Sequence, residues 1–411
     1  MANQFPYYDV SLKIDNKDYG LNVQSVYIIG SIFAVFQTVM IQCRIDSQDI
    51  ISREMYGKKS ATLSIKQMTE DVQEQDSQEI ELYILKVLGG NTQRTEQDQH
   101  HPLQDKTTFV CVPKKPWEYM TMPVNYLAQN TSQKSPYDAV NDMVDKFLSG
   151  VKKDVKDKNA NKYKGEQLPI PPMNFAAAVD YLDERYGVFK GPLFYTCQFE
   201  ENTFSMWDLS TRISDPEDYT IYTLATGKKE KKEIYEESGK KDDTFYTYSN
   251  IIFKTSGNQT VAGDCFEHQF MMKPRDGLYK VTKVTAQDVY DKNLPKDGGT
   301  FQFHDDLKKN NIRFHLRGFV GVDADDSALT TDLSKRFFMQ SEATVRLDRN
   351  LRLKKLFHVG VPVSVLPEAL NYEKFHGKYL VKGSEIKLIR DGVSQFKAIC
   401  DIHLFRSNVL T

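Results

Sequence analysis

Eight histidines, five cysteines and 56 carboxylates are the residues of this 411-residue chain that could hold a metal, attack a bond or move a proton. Their spacing argues against each of these chemistries. Cys43, Cys111, Cys197, Cys265 and Cys400 lie far apart with no C-x-x-C pair, so neither a zinc ribbon nor a dithiol redox centre is available. Each sits in an apolar or strand-like setting, as in Phe109-Val110-Cys111-Val112, and reads as a buried thiol of a protein made in a reducing cytoplasm. His100-His101 falls in a polar loop and would need ligands from elsewhere to bind a metal. His403, between Ile402 and Leu404, reads as a structural or surface histidine of a strand. The acidic stretch Asp323-Ala324-Asp325-Asp326-Ser327 lacks the sixth-position glycine and twelfth-position glutamate of a calcium loop, and reads as a solvated turn. No carboxylate pair stands in an apolar context that would raise a pKa for acid catalysis. Trp117 and Trp207 read as core anchors. No nucleophile elbow, HExxH helix or phosphate-cradling glycine loop occurs. No catalytic, cofactor-binding or metal-binding residue is assigned, no cofactor is expected, and the chain is expected not to be an enzyme. Glycan hydrolases carry weak sequence signatures, so a cell-wall hydrolase stays as the alternative.

Composition narrows the class. The 54 Lys and Arg against 56 Asp and Glu leave a net charge of −2, which argues against a protein that holds nucleic acid by bulk phosphate neutralisation. A 40% hydrophobic and 27% charged content is that of a soluble globular protein rather than a disordered, collagen-like or membrane chain. At roughly 100–200 residues per domain, the length predicts two to four compact units. The 22 Tyr and 24 Phe lean toward β-structure and broad contact surfaces. Met1 to Pro6 carry neither a basic nor an apolar run, so no secretory signal is expected. The apolar stretch 26–39 is too short for a bilayer and is interrupted by Ser31 and Gln37.

The elements follow from periodicity. Residues 1–118 read as an N-terminal antiparallel β unit, a barrel or sandwich: Val39, Ile41 and Cys43 alternate with polar neighbours, as do Ala61, Leu63 and Ile65. The acidic run 70–81 reads as a solvated loop or rim. Residues 119–209 read as a small α/β unit. Ser135 caps a helix with Pro136 at its first position, Asn174 caps a second that Gly187 ends, and an apolar hairpin follows around 200–202. The Lys-rich stretch 151–168 reads as an exposed excursion. The 210–335 region is a loop-rich mixture with strands near 251–253 and 279–285. Residues 336–411 recover a clear β pattern, with a Gly-entered strand at 359–365 and a hairpin turning at Asp391-Gly392. The fold class is α+β, mainly β.

Three stretches resemble the baseplate central hub protein of contractile-tailed bacteriophages, the T-even-type tail hub family. They are Tyr56-Gly57 with the alternating strand through Ala61 and Leu63, the block from Pro172-Met173-Asn174-Phe175 through Tyr186-Gly187 to the hairpin ending at Asp208, and the closing strands at 359–365 and 379–405. The resemblance implies two antiparallel β-barrel, tube-like domains with an α/β insertion domain, the second barrel being completed by 336–411. It implies a homotrimer of pseudo-sixfold symmetry that joins a sixfold tail tube to a trimeric central spike in the virion baseplate. A lumen for the tape-measure protein and later for DNA follows, with no membrane role and no sequence-specific nucleic-acid binding. Paired or covered barrel edges are expected at the subunit contacts.

Overall fold

The computed structural model describes residues 7–44, 59–68, 74–89, 106–124, 134–162, 170–189, 191–198, 202–222, 245–255, 268–275, 278–284, 312–315, 341–347, 356–366, 377–393 and 395–406. In chain order the elements are β1 (Tyr7–Ile14), β2 (Lys17–Asp18), β3 (Val23–Ser31), β4 (Thr38–Arg44), β5 (Lys59–Met68), β6 (Glu74–Gly89), β7 (Lys106–Pro113), α1 (Lys114–Met120), β8 (Pro123–Val124), α2 (Pro136–Phe147), β9 (Lys152–Val155), β10 (Met173–Asn174) and α3 (Phe175–Tyr186). After them come β11 (Leu193–Gln198), β12 (Thr203–Asp208), α4 (Leu209–Arg212), β13 (Tyr219–Tyr222), β14 (Phe245–Thr255), β15 (His268–Arg275), β16 (Leu278–Val284), β17 (Ile312–His315), β18 (Ser341–Leu347), β19 (Pro362–Leu366), β20 (Gly377–Arg390) and β21 (Phe396–Arg406). The chain is mainly β, as its periodicity implies.

Thirteen of the described strands form one sheet, and its pairing returns on itself twice. One ring runs β21-β20-β3-β4-β7-β6-β5-β1, antiparallel throughout, and closes where Tyr8 meets Phe396. A second runs β21-β20-β19-β13-β14-β18, with β13 parallel to both its neighbours. Both rings use the β20–β21 hairpin, which the Asp391-Gly392 pair predicts. Each strand divides its outer edge. On β20, Gly377 to Leu380 pair with β19 and Gly383 to Ile389 with β3. On β21, Cys400 to Arg406 pair with β18 while Phe396 meets β1. The switch of partner on β20 coincides with a register irregularity between Val381 and Gly383, the kind of device that bends a strand and increases its twist. Gly383 suits that corner, since a Cβ there would lie 2.9 Å from the Gly30 carbonyl oxygen.

The β unit expected in 1–118 and the one expected to be completed by 336–411 share one sheet. The strands at the two ends of the chain belong to one continuous sheet, because 14- and 11-residue strands are long enough to serve two sets of neighbours. Alternation builds the wall: in β5, Ala61, Leu63, Ile65 and Gln67 are buried between half-buried neighbours. The acidic run corrects one expectation. Residues 74–81 are the first half of β6 rather than a loop, with Ile80 and Leu82 inward and Glu79 and Glu81 outward; 70–73 lie outside the described residues.

The α/β unit forms as its caps dictate. Ser135 Oγ accepts from the Asp138 N–H at 3.1 Å, and Asn174 Oδ1 from the Ala177 N–H at 2.8 Å. Gly187, at φ 71°, ends α3. β11 and β12 form the expected hairpin, but part of the Lys-rich excursion becomes β9, lying parallel to β12. α1 follows β7 directly, and the hydrophobic pattern does not announce it. The hairpin joins the large sheet through the Val35 carbonyl, which accepts from the Cys197 N–H and the Thr196 hydroxyl, both at 3.1 Å. Buried side chains of both parts form one apolar cluster.

Candidate functional site

Among the described residues, those singled out for chemistry are scattered and form no common site. His100-His101, Asp323 to Ser327 and Cys265 lie outside the described residues. His403 is partly exposed on β21, its Nδ1 3.2 Å from Thr344 Oγ1 and its Nε2 3.2 Å from Glu385 Oε1, as befits a cross-strand polar ladder. Trp207 is buried between the Phe194 ring, 5.3 Å away, and the Arg212 guanidinium, 4.3 Å above its face. Trp117, on α1, meets the edge of Phe36 at 5.6 Å. Cys43, Cys111, Cys197 and Cys400 are buried, and burial pushes the first three thiols up to about 12, so they stay protonated and unreactive. Among the described residues, no group of three His, Cys, Asp or Glu could hold a metal ion. No helix among them is long and apolar enough to cross a membrane.

One carboxylate that the sequence pattern did not flag is perturbed. Asp208 ends β12 and caps α4; its Oδ1 accepts from the Ser210 N–H at 2.8 Å and the Ser210 hydroxyl at 2.7 Å. Burial pushes it up to about 6, against the pull of the hydrogen bonds from Ser210, Asn159 and Gly191. A general acid must reach its substrate. At 1% exposure, and with Gly191 leaving no room for even a Cβ, Asp208 does not. Its role is to close the hairpin against the Gly191 turn. The raised value has a consequence for stability. The unfolded chain loses this proton near pH 4 while the folded chain holds it to about 6, so stability conferred below pH 4 is lost as pH rises through 6. Asp208→Asn keeps the cap and removes that loss. It is expected to raise stability at pH 7.5 by on the order of 2 kcal/mol and to have little effect at pH 4. Urea unfolding of both proteins at the two pH values checks this; equal increments at both would show that burial is not the cause.

The described surface also carries an open concavity of about 440 Å³ on the outer face of β3, β4 and β20. Its polar lining includes Gln42, Ser25, Arg44, Lys387 and Arg390, with no carboxylate. The Lys387 ammonium lies 4.8 Å from the centre of the Tyr27 ring. Arg390 is built into the wall, its Nε donating to the Val23 carbonyl at 2.6 Å and an Nη to the Gly20 carbonyl at 2.9 Å. Sequence reading missed this site because its cations come from two strands distant in the chain, β4 and β20, which face one surface only once β20 has paired with β3.

The backbone path is similar to that of solved structures. The chain has the fold of two tail proteins. One is the tail protein from Neisseria meningitidis MC58, at TM-score 0.55 and 11% identity, with 98% of each chain covered. The other is the 43 kDa tail protein of prophage MuSo2 from Shewanella oneidensis, at TM-score 0.51 and 11% identity, again with 98% of each chain covered. No protein-family model matches the sequence, and no curated protein matches it. The likeness is one of backbone path, spread along the whole chain, and it places no chemical group.

Proposed function

We propose that this chain is a structural hub protein of a contractile phage-type tail, a homotrimeric ring that adapts a sixfold tail tube to a trimeric central spike. The tail-protein fold supports this reading, and one observation carries it: the strand pairing closes twice within one chain, around a shared hairpin. Taken as two barrel-like modules, the rings let three subunits present six near-equivalent units, so that threefold closure meets a sixfold partner on one side and a threefold partner on the other. The 119–209 unit then lies beside the modules, and the 210–335 region contributes β13 and β14 to the second of them. The ring encloses a lumen for the tape-measure protein and later for DNA, and a net charge of −2 suits a conduit that must release phosphate rather than grip it. The protein resides in the virion baseplate after synthesis in the host cytoplasm.

Mass photometry and negative-stain images of the purified full-length protein test the proposal. A species of three 47.4 kDa chains, seen as a threefold ring with six lobes around an opening, is expected. A monomer that clears peptidoglycan in a zymogram overturns it in favour of a cell-wall hydrolase.

A further inference from the structure

We infer that the basic concavity on β3, β4 and β20 is a docking site for an acidic, aliphatic segment of a partner protein. The site goes beyond the hub reading and does not depend on it, since one chain carries the whole surface. Its chemistry starts from charge that folding leaves unmatched. Arg44 on β4 and Lys387 on β20 have no carboxylate partner among the described residues, and no carboxylate lines the concavity. Lys387 instead lies over the Tyr27 ring, 4.8 Å from its centre. Acids do stand nearby in the chain, but each is engaged elsewhere. The Gly20 N–H donates to Asp18 Oδ1 at 2.8 Å, Glu385 faces His403 at 3.2 Å, and Asp391 pairs with Lys397. Beside the two cations, Ser25 Oγ donates to Gln42 Oε1 at 3.3 Å, which leaves the Gln42 amide nitrogen as a further donor. The polar lining thus matches carboxylate side chains.

Two exposed aliphatic side chains supply the other half of the surface. Leu21, 75% exposed, and Val393, 82% exposed, stand on two turns that Arg390 ties together. The Arg390 guanidinium donates to the Val23 and Gly20 carbonyls, at 2.6 and 2.9 Å, and to the Val393 carbonyl. The Leu21 turn is also held by the Asn22 amide, which donates to the Arg44 carbonyl at 2.9 Å. The Asp391 N–H closes the Val393 turn on the Gln395 carbonyl at 2.7 Å, and Gly392 of that turn lines the concavity. Turns fixed in this way present their side chains with little of the ordering cost that binding otherwise carries. Charge and apolar surface on one rigid rim favour a peptide over other anions. A nucleic acid would find cations for its phosphates but no platform for its bases, because the one aromatic ring in the lining, Tyr27, already carries the Lys387 ammonium. An inorganic anion would leave Leu21 and Val393 bare, and the space of about 440 Å³ falls within the ~300–1,000 Å³ of ligand-sized clefts.

Fluorescence anisotropy of the full chain with a labelled peptide repeating Leu-Glu-Asp-Leu tests the site. Saturable binding is expected, weakening as salt rises from about 50 to 500 mM, because exposed charges are screened within a few ångströms at high ionic strength. The same peptide with Gln and Asn in place of its acids should bind at least about tenfold more weakly, and so should the acidic peptide on Arg44→Glu with Lys387→Glu. Arg44→Lys with Lys387→Arg keeps both charges and should keep most of the affinity. Leu21→Ser with Val393→Ser should cost about three- to tenfold by removing the apolar contribution. Melting followed by circular dichroism should match wild type in every variant, since each change lies on the outer surface. Failure of the acidic peptide to bind saturably, or binding that charge reversal leaves unchanged, overturns the inference. So does a labelled single-stranded oligonucleotide that binds more tightly than the peptide and loses that binding on reversal, which would make the concavity a nucleic-acid surface.

Discussion

Ile402→Asp is expected to abolish folding. Ile402 lies on β21, the strand both rings share, and is 0% exposed. It faces Val345 of β18 on one side and Ser384 of β20 on the other, so no loop can move aside to admit water. Neither neighbour brings a cation to the position, and an unpaired buried carboxylate either keeps its charge against a large desolvation penalty or takes up a proton at neutral pH. Either route costs several kcal/mol, comparable with the ~5–15 kcal/mol that holds a typical domain together. The second ring loses its seam at the same time as the first. Val363→Asp, also 0% exposed but on β19, which belongs to the second ring alone, should be milder. Ile402→Val removes one methyl group and should cost about 1 kcal/mol. Soluble yield, far-UV circular dichroism and limited proteolysis distinguish these cases. A soluble Ile402→Asp protein melting cooperatively within a few degrees of wild type would show that β21 is not the shared wall.

What the sequence makes legible is local. Asp391-Gly392 predicts a hairpin because an Asp-Gly pair accepts the φ values of a tight turn, and β20 and β21 flank it. Ser135 and Asn174 mark helix starts because their side chains must satisfy amide groups that no preceding turn can reach. The burial of Ile402, Leu404 and Cys400 follows from alternation alone. What fails is whatever depends on distant partners. Nothing near Tyr8 says that it will meet Phe396, and that contact closes the larger ring. β9 is hidden because Lys152, Lys153 and Asp154 give a polar stretch no apolar face, and only parallel pairing with β12 makes it a strand. The acids at 74–78 hide the start of β6, ahead of the apolar run that Ile80, Leu82 and Ile84 carry. No local signal exists for the basic concavity, since Arg44 and Lys387 are far apart in the chain. Asp208 could have been noticed: a carboxylate after Met206-Trp207 at the end of an apolar strand is costly unless it caps something.

Gly360→Ala is expected to loosen the joint between the α/β unit and the sheet, at a cost of about 3 kcal/mol. The sequence marks Gly360 as the entry to β19, and the structure supplies two separate reasons for a glycine there. Its φ is 73°, a left-handed conformation that side chains disfavour. A Cβ would also stand 2.8 Å from Cε1 and 3.0 Å from Cδ1 of Phe194. That ring cannot simply turn away, because it is fully buried and packs against Trp207 on the paired strand β12. The Gly360 N–H meanwhile donates to the Val381 carbonyl at 2.8 Å, which pins the backbone to β20 next to the irregularity where that strand changes partners. The two causes separate in a double-mutant cycle. Phe194→Leu alone opens space and should cost about 1–2 kcal/mol. In the double variant the steric part of the alanine penalty should vanish while the conformational part, about 1 kcal/mol, remains. Urea unfolding of the four proteins measures the coupling. Strictly additive costs would mean that Phe194 does not press on Gly360, and the hairpin would then be held to the sheet by the Val35 hydrogen bonds without this wedge.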